Sequence, residues 1–228
     1  MKNEMRIMKN YKKNGGDMSL VSFASEEIKQ SILSGDIKQN ELLSESQLAL
    51  TLGVSRTPVR EAIRMLVSEN IVEVINGIGI FVKQLTPREI KDIFEVRMAL
   101  ESIASGSAVH NIADEEIELY KDRFIQLLGK YQSGEITRSR EFADLDWALH
   151  ELIIDRSSNE YLRRIMKEIY FNIKRLQLMS FEALNDIEKS TGQHLLILDC
   201  IKKNDIELLD KVLKEHISWS MDQLIDKI

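Results

Sequence analysis

Between residues 44 and 83 the spacing of apolar positions changes from helical to alternating. Leu48 and Leu52 lie four apart, and Val59, Ala62, Ile63 and Leu66 recur at three and four, the spacing of one helix face. Two β-branched runs follow, 71–75 and 78–83, around Asn76-Gly77, which predicts a hairpin. Ser44, with Gln47 three residues later, predicts the start of a first short helix, and Gly53 suits a left-handed turn. Ala49 is small enough for a second helix to cross, and Val54 fills the gap between the two. Ser55 is placed to cap the second helix. Helix, tight turn, helix and hairpin make a winged helix-turn-helix, whose second helix lies in the DNA major groove with its first residues at base edges. Ser55, Arg56, Thr57 and Arg60 occupy that position, and Asn76 and Gly77 the wing tip, where a backbone can approach a duplex. Arginine can read guanine, and hydroxyls can contact phosphates or bases.

Beyond the hairpin every apolar run has helical spacing. Thr86-Pro87-Arg88-Glu89 combines a capping box with proline at the first helical position. It opens a helix carrying Ile90, Ile93, Phe94, Met98 and Leu100 to about Val109. Further helices are expected from Asp114 to about Tyr131, from about Thr137 to Arg156, and from Asn159 with Leu162, Ile165, Ile169, Ile173 and Leu176 inward. A fifth starts at Asp186 or Ser190 and reaches about Lys203, and a sixth starts at Asp205. The expected fold is mainly α: an N-terminal winged helix-turn-helix and a C-terminal antiparallel bundle of about six helices. The expected organisation is a mobile tail over 1–18, a DNA-binding unit over 19–84, a linker over 85–88 and a helical unit over 89–228.

The net charge of −6 suits a DNA-binding chain only once it is divided. Residues 1–84 carry 11 Lys+Arg against 10 Asp+Glu, and residues 85–228 carry 20 against 27. The acidic half is not the half that meets nucleic acid. A near-neutral DNA unit depends on where its arginines stand and on two copies acting together. One cysteine, Cys200, excludes an internal disulfide framework and fits a reducing cytoplasm. No apolar run approaches the length of a membrane span.

The histidines carry the remaining chemistry. Asp146 and His150, four apart, share a helix face, and Leu145, Leu149, Leu152 and Ile153 set that helix against the core. His194 precedes Leu195, Ile197 and Leu198 in the fifth helix, and His216 stands between Leu213 and Ile217 in the sixth. Such residues are either hydrogen-bonded core histidines or, with the carboxylate, ligands for Zn, Ni, Fe or Mn. His110 fits a helix end at the surface. Arg97, three residues after Phe94, projects into the bundle, either paired with Glu101 or gripping an anion. Asn172, between Ile169 and Leu176, faces inward as a candidate hydrogen-bonding group.

The run from Gly53 through Val72, GVSRTPVREAIRMLVSENIV, followed by a glycine-containing wing, resembles the GntR family of bacterial transcription regulators over about 21–82. That family often has Pro-Gly where this chain has Gln39-Asn40, and Gly where it has Asn70. Some members use an arginine on DNA where this chain has Ser46. Phe94, Arg97, Leu100 and Glu101 resemble the opening signature of the FCD effector domain of the FadR-like branch, and six helices in this length resemble its VanR-like subgroup. The resemblance implies that Asp146, His150, His194 and His216 are metal ligands. It further implies a homodimeric, cytoplasmic regulator of double-stranded operator DNA that answers to a small carboxylate. In that reading Arg97 and Asn172 hold the effector, and the acid completes the coordination of the divalent metal.

Two other readings compete. A metal-dependent hydrolase finds little support, because His150-Glu151 begins the zinc-protease pattern but Ile154 stands where its second histidine belongs. An effector-independent DNA-binding protein leaves the inward Arg97, Asn172 and histidines unexplained.

Overall fold

The computed structural model describes residues 18–136, 140–183 and 186–227. Two compact units meet in sequence between Leu85 and Thr86. The first contains α1 (Leu20–Ser34), β1 (Leu42–Leu43), α2 (Glu45–Leu52), α3 (Arg56–Ser68), β2 (Val72–Ile75) and β3 (Gly79–Val82). α1 presents Phe23, Ala24, Ile28 and Ile32 to a core that Val59, Ala62, Ile63 and Leu66 of α3 complete. Burying a large apolar side chain such as Ile28 or Leu66 stabilises the unit by about 1.5–3 kcal/mol each.

The turn between α2 and α3 follows the expected chemistry. Ser44 accepts from the Gln47 N–H at 3.3 Å, and Gly53 takes φ 69°. The Val54 N–H returns to Ala49 O at 3.1 Å, closing the turn. Ser55 departs from expectation: its backbone caps α3, but its side chain makes no capping hydrogen bond.

The hairpin is part of a three-stranded antiparallel sheet in the order β1-β3-β2. β1, two residues long, was not expected, because Leu42-Leu43 is too short to show any alternation. Ile75 pairs with Gly79, so three residues form the loop, and the Ile78 N–H donates to Ile75 O at 3.0 Å. Gly79 takes φ 153°, which residues with a side chain rarely adopt, so a substitution there is strained even though the Leu42 methyl in its way could move. The departures from the family pattern at Asn40 and Asn70 land where the backbone is left-handed, at φ 59° and 62°. Asparagine is one of the few L-residues that tolerates this region.

Among the described residues the second unit holds six helices: α4 (Pro87–Ala108), α5 (Asp114–Gln132), α6 (Arg140–Asp155), α7 (Glu160–Ala183), α8 (Ile187–Lys203) and α9 (Ile206–Ile225). The Thr86–Glu89 capping box is formed in full, so Thr86 and Pro87 already belong to the start of α4. Asp186 and Asp205 cap α8 and α9 through the Lys189 and Leu208 N–H groups. α6 begins within the described residues at Arg140, and the expected start at Thr137 lies outside them. α4 packs on α6, α7 and α9, and α8 on α5 and α9, around Phe124, Leu145, Leu149, Ile173, Ile197, Leu198 and Leu213. Ile165, expected inward, is 47 % exposed: α7 rotates Leu162 and Met166 into the core and leaves Ile165 between them at the surface. No described helix is long and apolar enough to cross a membrane.

Candidate metal centre and DNA-contact face

Three helices of the second unit bring Asp146, His150, His194 and His216 together, each offering a ligand atom within 4.8 Å of the others. The three Nε2 atoms converge on one carboxylate oxygen. His194, His150 and His216 place Nε2 at 2.6, 3.3 and 3.6 Å from Asp146 Oδ1. All three histidines are buried.

A second layer holds the far atoms of His150, His216 and Asp146, while His194 Nδ1 has no hydrogen-bond partner among the described residues. The His150 Nδ1–H donates to Glu101 Oε2 at 2.5 Å, and Glu101 Oε1 accepts from Arg97 Nε at 2.6 Å. His216 Nδ1 donates to the amide oxygen of Gln193 at 3.1 Å, and Gln177 Nε2 donates to Asp146 Oδ2 at 2.7 Å. His194 is stacked on Phe124, ring centroids 4.7 Å apart. A proton fixed on Nδ1 of His150 and His216 leaves Nε2 of each as a lone pair aimed at Asp146. This is how outer partners orient imidazoles for a cation.

The electrostatics agree. Burial pushes His194 down and His216 down to about 3, with His194 beside it adding to the effect on His216. Burial would raise Asp146, but His194 first, and the other imidazoles around it, hold its carboxyl well below the usual range. Burial likewise opposes the charge on Glu101, yet Arg97 and His150 hold it at about 2. Burial works to lower His150, but the Glu101 charge together with the carboxylate contacts of the ring draws it upward. An ionised oxygen ringed by imidazole nitrogens is a donor set for a divalent metal. His194 would release the proton that it shares with Asp146 on binding one.

Asp146, His194 and His216 border a narrow cavity whose polar lining includes Gln177, Ser180 and Thr191. Arg97 and Asn172 are not among the residues lining it. Arg97 is instead the buried partner of Glu101, although its Nη2 has no hydrogen-bond partner among the described residues. Asn172 Oδ1 is buried in the same condition, as are Gln177 Oε1 and Ser180 Oγ. A second cavity, between α6 and α7, reaches the other side of Glu101 and His150 past Trp147, Glu151 and Tyr170. Glu101 as the support of His150, and Gln177, Gln193 and Ser180 around the cluster, were missed by sequence reasoning. The available signal was a buried polar pair, Gln177 and Ser180, three apart beside Leu176 on an inward stripe. His110 is exposed at the end of α4, as expected.

In the first unit Ser55, Arg56, Thr57 and Arg60 are exposed together on the first turns of α3. Asn76 and Gly77 are exposed in the wing loop, with Gly77 at φ 77°. Both arginines share an acidic neighbour, Glu45 of α2.

Residues 20–82 match the family described as bacterial regulatory proteins, gntR family, and residues 92–218 match the FCD domain, more than half of the chain. The chain belongs to the GntR family and carries an FCD domain. The regulator is 29% identical over 217 residues to the gluconate operon transcriptional repressor of Bacillus licheniformis, covering 88% of this chain and 87% of that one. It is 29% identical over 196 residues to the Nta operon transcriptional regulator of Aminobacter aminovorans, covering 86% and 90%. The fold of E. coli McbR/YncC superposes with a TM-score of 0.76 at 23% identity, over 92% of this chain and 99% of that one. The two curated relatives are named as transcription regulators, not enzymes, and the regulator's GntR unit is a DNA-binding one.

Proposed function

We propose that the regulator binds a palindromic operator as a cytoplasmic homodimer, and that its helical unit holds one divalent cation beside a small carboxylate effector. The observation that carries this reading is the convergence of three Nε2 atoms on Asp146 Oδ1, with Glu101, Gln193 and Gln177 holding the far atoms of His150, His216 and Asp146. A core histidine needs one hydrogen bond; three buried imidazoles around one carboxylate oxygen need a cation to use their lone pairs. Asp146, His150, His194 and His216 would hold the metal, which when bound supplies a positive centre for an anionic oxygen.

The chain's own residues select the effector. Ser180 Oγ and the Gln177 amide line the narrow cavity beside the cluster and would meet the polar groups of a ligand there. Arg97 has one edge on Glu101 and an unused Nη2, which gives an acid a second cation nearby. Asn172 offers a buried acceptor to a hydroxyl of the ligand. A relative is named for the gluconate operon, and gluconate is a small carboxylate. Ser55, Arg56, Thr57 and Arg60 would meet the operator, with Asn76 and Gly77 at the neighbouring backbone. Residues 19–84 carry only six Lys+Arg against eight Asp+Glu, so one copy has little general attraction for DNA and two are needed.

The effector changes operator affinity only through different affinities for DNA-competent and DNA-incompetent dimers. The test starts from a duplex recovered by the regulator from a random-sequence pool. Its affinity is measured by fluorescence anisotropy with metal-loaded and metal-stripped protein across a panel of small carboxylates. A palindromic duplex, bound by two chains and shifted by one acid only in the metal-loaded protein, is the expected result. A single chain on an asymmetric site, or an equal response without metal, contradicts the reading.

A further inference from the structure

The first unit contains an arrangement that the proposed function leaves unused. Glu45, in the first turn of α2, is 20 % exposed at its side chain. Its carboxylate takes Arg60 side-on: Nε lies 3.3 and 3.2 Å from its two oxygens, and Nη2 lies 3.1 Å from Oε2. Arg56, one turn earlier on the same face of α3, brings its Nη2 to 3.9 Å from the same Oε2. The two arginines are otherwise 52 % and 62 % exposed; Glu45 holds Arg60 by hydrogen bonds and lies within ion-pair distance of Arg56. The next arginine on the helix, Arg64, pairs with Glu61 at 2.6 Å. Every arginine of α3 thus stands beside a carboxylate.

We propose that Glu45 is a positioning and specificity residue, which fixes the Arg56 and Arg60 guanidinium groups for base edges and reduces their attraction to phosphates at large. The proposal rests on the reading that the start of α3 faces the bases. Two physical effects support it. An arginine bound side-on to a carboxylate has its planar guanidinium fixed in orientation, with the outer N–H groups left for a bidentate contact to guanine. A fixed negative charge beside two positive ones lowers the number of phosphates that the face can neutralise, and that number sets sequence-independent affinity. A DNA-binding unit with more acidic than basic residues therefore gains selectivity from the acid that stands closest to its reading residues.

The experiment uses full-length wild type, Glu45→Gln, Glu45→Asp and Arg60→Ala. The probes are a duplex recovered by wild type from a random-sequence pool and a scrambled duplex of the same composition. Glu45→Gln should bind the scrambled duplex several-fold more tightly, with a log–log salt slope steeper by about one as an arginine is released to phosphate. Its ratio of recovered to scrambled affinity should fall by about tenfold, the weight of one well-formed base contact. Glu45→Asp keeps the charge but loses reach, so the ratio should fall without the gain on the scrambled duplex. An unchanged ratio in Glu45→Gln overturns the proposal. So does a parallel loss on both duplexes with a lowered melting temperature, the mark of a merely structural first-turn acid. Arg60→Ala separates the two levels. If it binds the recovered duplex like wild type, the reading of α3 fails; if it weakens binding while Glu45→Gln keeps the ratio, only the role of Glu45 fails.

Discussion

The regulator contains the same chemical pair twice in opposite surroundings. In the helical unit Arg97 and Glu101 are 3 % and 1 % exposed at their side chains, 2.6 Å apart. In the DNA-binding unit Arg60 and Glu45 are 52 % and 20 % exposed, 3.1 Å apart. Water decides what each pair is for. A buried pair that loses one member leaves a charge with nowhere to go, whereas an exposed one lets solvent take over. The inner pair therefore belongs to the architecture: it fixes Glu101, which fixes His150. The outer pair contributes little to stability and can serve recognition instead.

The largest expected effect tests the inner pair. Arg97→Ala should destabilise the second unit by about 3–5 kcal/mol, because Glu101 is left charged and buried. Denaturant unfolding measures this; a loss near that of a surface pair would mean that the helices open to water there. Arg97→Ala combined with Glu101→Leu should recover much of the loss, since the stranded charge is gone.

Next in size is the metal. At about a hundred times its dissociation constant, a cation that binds only the folded chain should stabilise it by about 2.7 kcal/mol. Thermal melting with and without chelator reads this shift, and Asp146→Ala should abolish it. Glu101→Gln should retain binding but weaken it about 10–100-fold, the effect of an outer partner. Equal metal affinity in wild type and Glu101→Gln would separate the inner pair from the cluster.

Arg60→Ala should cost about 1–3 kcal/mol of binding to the recovered duplex if it reads a base. Its melting temperature should change little, because a solvent-exposed ion pair contributes little to stability. A large fall in stability would erase the contrast between the two pairs. The smallest effect concerns Asn70, at φ 62°, whose side-chain oxygen accepts from Lys83 Nζ at 3.1 Å. Asn70→Gly should be close to neutral and Asn70→Ala destabilising by about 1 kcal/mol, since alanine suffers in the left-handed region. Equal stability of the two would show that the bend does not constrain residue choice.

The architecture was largely readable in the sequence because local signals agreed with the tertiary ones. The Thr86–Glu89 box, the Gly53 turn and the three-and-four spacing each name a boundary or a face without reference to anything distant. β1 was not readable, since two residues have no period and the strand exists only by pairing with Phe81 and Ile80. Ile165 failed because one wide apolar stripe does not say which of its edges the neighbours cover. Spacing placed His150, His194 and His216 inward, and the structure brings them to one oxygen. It could not show Gln193 behind His216 or Gln177 behind Asp146, because those contacts join helices far apart in sequence. Arg97 was left between two roles, and its distance to Glu101 shows one of them, with Nη2 still open to the other.

The central claim is that Asp146, His150, His194 and His216 are one metal site. Its most direct measurement is calorimetric titration of the chelator-stripped full-length chain with Zn²⁺, Ni²⁺ and Mn²⁺, beside the Asp146→Ala, His216→Ala double variant. The account predicts one ion per chain for wild type, with proton release on binding, and no saturable binding by the variant. A wild-type chain that takes up no ion, or a folded double variant that binds one as tightly as wild type, would contradict it.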